Sequence, residues 1–308
     1  MSRKITRITE SLAMNQGTFG NREGRKFEVA VTKDPRDRLT DLSNQRISRW
    51  ANELNFFESR ESDAAVSETP EGVIRRYKNP KGNTALEHCF KQLGIVAGKR
   101  VLDVCCGSGS SSTLLAKLGA QVIGVDLSPK LIQAADRRSI LDGVSDHCCF
   151  ICSPLELIEF DENSFDVIWC EASLHHLIPE LSSILELLVR WVTPHGIIII
   201  NEPVNHADWL RSLRLVTPVQ LNGTDGERPI KKNETLLILS KLRNSQTRYF
   251  RLFTRLERVL FEKCLFEHSK RWKKVVFRCL VRLDRVFTRI PLICSLGSVI
   301  VICGHPKK

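Results

Sequence analysis

Two apolar patterns alternate along most of this chain. Runs of five or six residues, mostly apolar and rich in branched side chains, sit at 101–106, 121–126, 148–152, 165–170 and 197–201. Such runs predict short strands covered on both faces. Between them, apolar residues return every three or four positions, which predicts amphipathic helices. Leu114, Leu115 and Leu118 follow the first run until Gly119 stops the helix. Ser128-Pro129 reads as a helix cap followed by a first-turn proline, and that helix ends near Asp142-Gly143. A helix from Pro179 to Trp191 carries Leu181, Ile184, Leu185, Leu188 and Val192 on one side. Turns are expected at Glu162-Asn163-Ser164 and Pro194-His195-Gly196. Alternating strands and helices imply an α/β fold with a doubly wound parallel sheet and right-handed crossovers.

The flanks break this rhythm. Residues 1–40 are polar and charged without periodicity and are expected to form a mobile head. Leu42, Ile47, Trp50, Leu54 and Phe57 recur at near-helical spacing, 61–72 reads as a loop, and 84–94 reads as a helix, so 41–95 is expected to be a helical cap. The α/β domain then covers 96–304, with partly helical insertions at about 205–243 and 255–290. Two further strands are expected at 246–253 and Ser298–Cys303. The helix at 270–290 has two stripes. Trp272, Val275, Val276, Cys279, Leu280, Leu283, Val286, Phe287 and Ile290 form an apolar one, and Arg271, Lys274, Arg278, Arg282, Arg285 and Arg289 a basic one.

Charge sharpens the picture at that end. The formal net charge is +11, yet from Lys241 onward there are 17 Lys and Arg against 4 Asp and Glu, a surplus of 13. The rest of the chain is close to neutral, which argues for a local basic face rather than a nucleic-acid surface spread over the fold. The helix is expected to pack its apolar stripe on the domain and leave a solvated basic face. The second option is that it meets an acidic partner, either an anionic membrane surface or a phosphate- or carboxylate-bearing acceptor. The eleven cysteines suit a reducing compartment. Cys148, Cys149 and Cys152 fall on a predicted strand without a second cluster at zinc spacing, so no metal site is expected. No apolar leader follows the N-terminal charges, and Pro291–Gly304 is too short to span a bilayer, which points to a cytoplasmic protein, peripheral to a membrane at most.

The chemistry concentrates where the first strand ends. Val101-Leu102-Asp103-Val104-Cys105-Cys106-Gly107-Ser108-Gly109-Ser110 reads as a strand breaking into a glycine turn that opens a helix. The third position of the dinucleotide fingerprint is Ser112, and no lysine lies in the turn, so a triphosphate loop is excluded and an adenosine ligand without phosphates is favoured. About 20 residues on, Gln121-Val122-Ile123-Gly124-Val125-Asp126 ends a second strand with an acid placed to accept hydrogen bonds from both ribose hydroxyls.

VLDVCCGSGSSS and VIGVDLSP resemble the first two motifs of the class I S-adenosylmethionine-dependent methyltransferases. The resemblance continues through FDVIWCEASLHHL (165–177) and TPHGIIIINEP (193–203) and covers roughly 100 to 304, nearest to the broad group acting on quinone precursors and other small molecules. It implies a Rossmann-like seven-stranded sheet with helices on both faces, closed by an antiparallel pair of strands. A helical N-terminal region would cover the cofactor, and insertions after the fifth and sixth strands would wall the substrate site. It also implies S-adenosyl-L-methionine as cofactor and a small-molecule or lipid-like acceptor. By this resemblance Asp103 faces the cofactor's ammonium group, and Gly107, Ser108 and Gly109 lie under its methionine part. Asp126 takes the ribose, Leu127 lies on the adenine, Leu155 and Glu156 edge it, and Glu171 stands beside the sulfonium. By position, Arg75, Arg76 and Tyr77 are candidates for the methionine carboxylate. A base is needed for a hydroxyl acceptor and less for a neutral amine. His175 is the first candidate and Glu202 the second, with His176 and His206 also in view. Adjacent residues of extended backbone point opposite ways, so only one of His175 and His176 is expected to face the site. Two other classes stay open: an RNA or protein methyltransferase that uses the basic region, and a non-catalytic cofactor-binding module.

Overall fold

The computed structural model describes residues 44–60, 84–206, 227–256, 260 and 269–308. The expected mobile head at 1–40, the loop at 61–72 and the candidates Arg75, Arg76 and Tyr77 lie outside these residues, as do parts of both insertions.

Seven strands form one sheet in the order β3-β2-β1-β4-β5-β7-β6. They are β1 (Arg100–Val104), β2 (Gln121–Asp126), β3 (Cys148–Cys152), β4 (Phe165–Glu171), β5 (Val192–Pro203), β6 (Leu242–Phe250) and β7 (Val299–Pro306). The pairs among β1–β5 are parallel, and β7 runs antiparallel between β5 and β6. The parallel order reverses at β1, between β2 and β4, which is where open α/β sheets bind ligands beyond the strands' carboxyl ends.

The helices are α1 (Asn44–Arg60), α2 (Thr84–Leu93), α3 (Ser110–Lys117), α4 (Pro129–Leu141), α5 (Leu181–Trp191), α6 (Lys232–Ser240), α7 (Arg271–Phe287) and the short α8 (Pro291–Cys294). Each strand sorts its side chains between two layers. In β5, Ile198 and Ile200 join one core with α5, while Ile199 joins the opposite core with α2 and α3. On α5, Leu181, Ile184, Leu185, Leu188 and Trp191 are all buried, and each contributes about 1.5–3 kcal/mol of apolar transfer. Ser128 caps α4 as expected, its hydroxyl accepting from the Leu131 N–H at 3.3 Å with Pro129 in the first turn.

Several boundaries differ from the sequence expectation, and β7 runs on to Pro306 rather than ending at Cys303. β1 ends at Val104, because Cys105 takes a positive φ of 52° and leaves the sheet. β5 begins at Val192, not 197. Its register steps from Phe165↔Val192 to Val167↔Ile197, so Pro194-His195-Gly196 is carried as a bulge inside the strand. β6 likewise starts at Leu242 and bulges near Asn244, whose φ is 51°.

The largest correction concerns α7. Most of its expected apolar stripe does not pack on the domain, although Phe287 meets the Phe253 ring edge-on at 5.4 Å. Phe277, Val281 and Asp284 are the buried residues, and Trp272, Val275, Val276, Leu283 and Val286 are exposed. The reason is a polar anchor invisible to hydrophobic patterning. The Asp284 carboxylate accepts from the Phe253 N–H (2.6 Å), the Thr254 N–H (3.3 Å) and the Thr254 hydroxyl (2.5 Å).

Candidate functional site

The site opens where β1, β2 and β4 release the chain. After β1, Cys105, Gly107 and Gly109 all take positive φ, 52°, 54° and 75°. At Gly109 a Cβ would lie 2.8 Å from that of Ala135, so only glycine lets the turn approach α4. At Gly107 a Cβ would meet nothing within 4 Å, because that side of the turn faces a cavity. Arg138, buried on α4, locks the turn by donating from Nε to the Ser108 carbonyl oxygen at 2.9 Å. Ser112 donates to Asp103 at 2.5 Å, tying α3 to β1 where the dinucleotide fingerprint would place a glycine.

Asp126 ends β2 at the rim of the same cavity. Its carboxylate accepts from the Gly107 and Ser128 N–H groups, both at 2.9 Å, so both oxygens are aimed by backbone. A carboxylate has about four acceptor positions, and these two donors fix how it faces the cavity rim. Leu127, Ser153, Pro154, Leu155 and Glu156 continue the lining from the ends of β2 and β3, and Ala172, His176 and Leu177 close it from β4. Ala172 also takes a positive φ, 52°, and donates its N–H to the Asn201 carbonyl oxygen.

A helical N-terminal region was expected to cover the cofactor, but sequence reasoning named none of its residues for the site. Trp50, Glu53 and Leu54 of α1 line the cavity, and the only signal was the apolar spacing of that helix. Its charges fasten it. Arg49 pairs with both Glu156 and Glu180, Arg46 reaches Glu180 at 3.2 Å, and the Trp50 indole donates to Glu156 at 3.3 Å. The Glu156 carboxylate, expected at the adenine edge, is thus shared with the helix that covers the cavity.

Of the other expected cofactor residues, Leu127 and Leu155 line the cavity, as do Gly107 and Asp126. Asp103 is buried beneath α3, and Ser108 turns toward Arg138. Glu171 accepts from the Ser111 hydroxyl at 2.5 Å.

The two histidines do not follow extended-backbone geometry, because Leu174–His176 is a 3₁₀ turn. Their rings lie 4.1 Å apart, and His176, not His175, lines the cavity. His175 is held between carboxylates, with Nδ1 2.7 Å from Glu202 and Nε2 3.2 Å from Glu227. Burial alone would lower its pKa, but the hydrogen bonds to Glu202 and Glu227 lift it to about 9, so it is an imidazolium. Burial and the charge on His175 push His176 down to about 4, so it is neutral. Glu202 is fully buried and accepts from the Ser173 N–H (2.7 Å), the Leu174 N–H (2.7 Å), the Ser173 hydroxyl (3.3 Å) and His175. His206 sits elsewhere, with Thr235 at 3.0 Å and Tyr249 at 3.2 Å. Among the described residues, His175, His176 and Glu227 form the one group spaced to hold a metal ion, and its centre is taken by the His175 ion pair.

Burial raises Glu53 to about 8, with Arg49 opposing and Glu156, Glu227 and Asp126 reinforcing the rise. A raised acid favours the fold below its unfolded pKa of 4.5, and that contribution is lost as pH rises through about 8. Glu53→Gln, which mimics the protonated acid, is therefore expected to match the parent's melting temperature near pH 5 and exceed it near pH 8.5. Parallel melting curves across that range would show that Glu53 is not held protonated.

Comparison with known proteins agrees with this geometry. Residues 102–200 match the family described as "Methyltransferase domain". A ubiquinone biosynthesis O-methyltransferase of Ralstonia nicotianae is 39% identical over 101 residues, 33% of this chain and 42% of that protein. An uncharacterized methyltransferase of a Synechocystis strain is 31% identical over 126 residues, 39% of this chain and 55% of that protein. The chain thus spans about half the length of the curated relatives it matches. Among solved structures, the phosphoethanolamine N-methyltransferase 2 of Haemonchus contortus superposes with a TM-score of 0.51 at 15% identity, covering 83% of this chain and 60% of that one. The geranyl diphosphate C-methyltransferase of Streptomyces coelicolor does so at 0.51 and 15%, covering 80% and 85%. At that identity these two show the fold alone. Strand order, glycine turn and domain match agree that residues 102–200 carry a methyltransferase domain of the class I S-adenosylmethionine-dependent kind.

Proposed function

We propose that this protein transfers a methyl group from S-adenosylmethionine to a small, lipid-like acceptor. The observation that carries the reading is the cavity rim, where Asp126 is aimed by the Gly107 and Ser128 N–H groups and roofed by α1. Asp126 would hold the ribose, Leu127 and Leu155 the adenine, and the open side of Gly107 the methionine part. When bound, the cofactor supplies a methyl group on an activated sulfonium, so positioning of the acceptor provides most of the catalysis.

The chain's own residues set the rest. Trp50, Leu54, Leu155 and Leu177 keep the cavity apolar and exclude water. His176, neutral and at the cavity wall, is the histidine to which this reading gives the acceptor's proton. His175 and Glu202, the expected catalytic pair, are better placed to position that turn, since both His175 nitrogens are occupied and Glu202 has no exposed atom to offer a substrate. The carboxylates of Asp126 and Glu156 at the cavity suit a cationic cofactor. Relatives named for ubiquinone biosynthesis support a lipid-like acceptor.

The test is incubation with methyl-labelled S-adenosylmethionine and a panel of prenylated phenols, phosphoethanolamine and RNA. Label passing into an organic-extractable product, with release of S-adenosylhomocysteine, is the expected result. Label in RNA would favour the alternative enzyme class. Tight cofactor binding without transfer to any acceptor would mark a binding module.

A further inference from the structure

The outward face of α7 is unlike the surface of an ordinary packed helix. A helix on a domain turns its widest apolar arc inward. Here the inward stripe is narrow and consists of Phe277, Val281 and Asp284, continued by Thr288. Phe277 and Val281 form a small cluster with Leu260, separate from the sheet's two cores. At 3.6 residues per turn, the opposite side is an apolar arc of roughly 100° running through Val275, Val286, Cys279, Trp272, Leu283 and Val276. Exposure there is high: 56% at Trp272, 56% at Val275 and 59% at Val286. Lys274, Arg285, Arg278, Arg271, Arg289 and Arg282 fill the arc of roughly 80° between the two. The helix contains a single acid, Asp284, and that is buried in its anchor.

The charge is not neutralised locally. Among the described residues, Arg278, Arg282, Arg285 and Arg289 have no carboxylate partner. Arg248 of β6 extends the cationic field, since Arg289 and Arg285 both act on it and, after burial, hold its pKa down. The helix is tethered through Phe253 and Thr254, which follow β6. The pairing Pro203–Val299–Phe250 places the end of β6 at the same sheet edge as the end of β5, the edge at which the cavity opens.

We propose that α7 lies in the interface of an anionic lipid bilayer, its apolar arc among the acyl chains and its arginines at the headgroups. An apolar arc flanked by arginine is the composition of an interfacial helix, whose long basic side chains keep their charge in the headgroup layer while their stems cover apolar surface. A second copy of the chain fits poorly, because burying this face against itself would bring two arginine rows together without acids. A nucleic acid would use the arginines and leave six apolar side chains in water. None of the described helices is long and apolar enough to cross a membrane, so the contact is peripheral for them.

Vesicle co-sedimentation of the full chain decides this. Binding is expected to vesicles of phosphatidylcholine with phosphatidylglycerol, to be weak with phosphatidylcholine alone, and to fall as salt rises. Two sets of surface variants test the two arcs. Arg278→Gln with Arg282→Gln and Arg285→Gln is expected to weaken partitioning roughly 100-fold. Val275→Ser with Val286→Ser is expected to abolish quenching of tryptophan fluorescence by brominated lipid. Circular dichroism of both variants confirms the fold, since all five positions are exposed. No co-sedimentation at low salt overturns the proposal. Loss of binding with the arginine set but not the valine set also overturns it, in favour of a soluble polyanion. A dimer without vesicles that the valine set dissolves overturns it in favour of self-association.

Discussion

Asp126→Ala is expected to weaken S-adenosylmethionine binding by roughly 10- to 100-fold, because hydrogen bonds to a charged acceptor contribute about 1.5–3 kcal/mol. The loss has two sources. The ribose hydroxyls lose their acceptor, and the Gly107 and Ser128 N–H groups, each 2.9 Å from this carboxylate, lose theirs. Asp126→Asn separates them, since its single carbonyl oxygen restores part of the backbone contact but only part of the ribose contact. Calorimetric titration is expected to rank the parent above Asn and Asn above Ala, with smaller differences in the melting temperature of ligand-free protein. Equal affinities for all three would move the cofactor to another part of the edge.

Glu202→Ala is expected to cost about 3–5 kcal/mol of stability, the range for breaking a buried ion pair by removing one partner. The side chain is fully buried, and four donors converge on it. Removing it strands two backbone N–H groups and leaves the His175 imidazolium with Glu227 alone. The sign with pH follows from the raised pKa. The His175 contribution is fully present below its unfolded value of 6.5 and is lost as pH rises through about 9. Denaturant midpoints at constant slope are expected to show the variant's deficit largest near pH 6 and smaller near pH 9.5. A variant as stable as the parent but without turnover would instead give Glu202 a chemical role.

The sequence announced the parts of this molecule that obey local rules. β2 and β3 fall at the expected residues, and the Ser128-Pro129 cap starts α4, because apolar runs and caps depend on neighbours in sequence. The glycine turn and Asp126 were legible for the same reason: a positive φ and a strand-end acid at fixed spacing leave a residue-level mark. What escaped were partnerships between distant segments. Glu156 lies 107 residues from Arg49, and nothing near either one indicates that they meet. Asp284 rotates α7 against its own apolar pattern because two backbone N–H groups and a hydroxyl 30 residues away need an acceptor. One histidine of the pair was expected at the cavity, and that it is His176 rather than His175 was hidden because a short 3₁₀ turn carries no periodicity of its own.

β7 occupies a position that also governs how the sheet is assembled. It is hydrogen-bonded on both sides, to β5 and to β6, and among the described strands β6 joins the sheet through β7 alone. Its partner segment on β5 lies about a hundred residues earlier, so this pairing closes a long loop and belongs to the slow class of folding events. Until Val299–Pro306 arrive, the edge of β5 is open, and that edge is the isoleucine run 197–200. A branched, uncharged edge of this kind is a template for pairing with another chain. The same four residues that build both faces of the finished core are thus the point at which a nascent molecule is most exposed to aggregation.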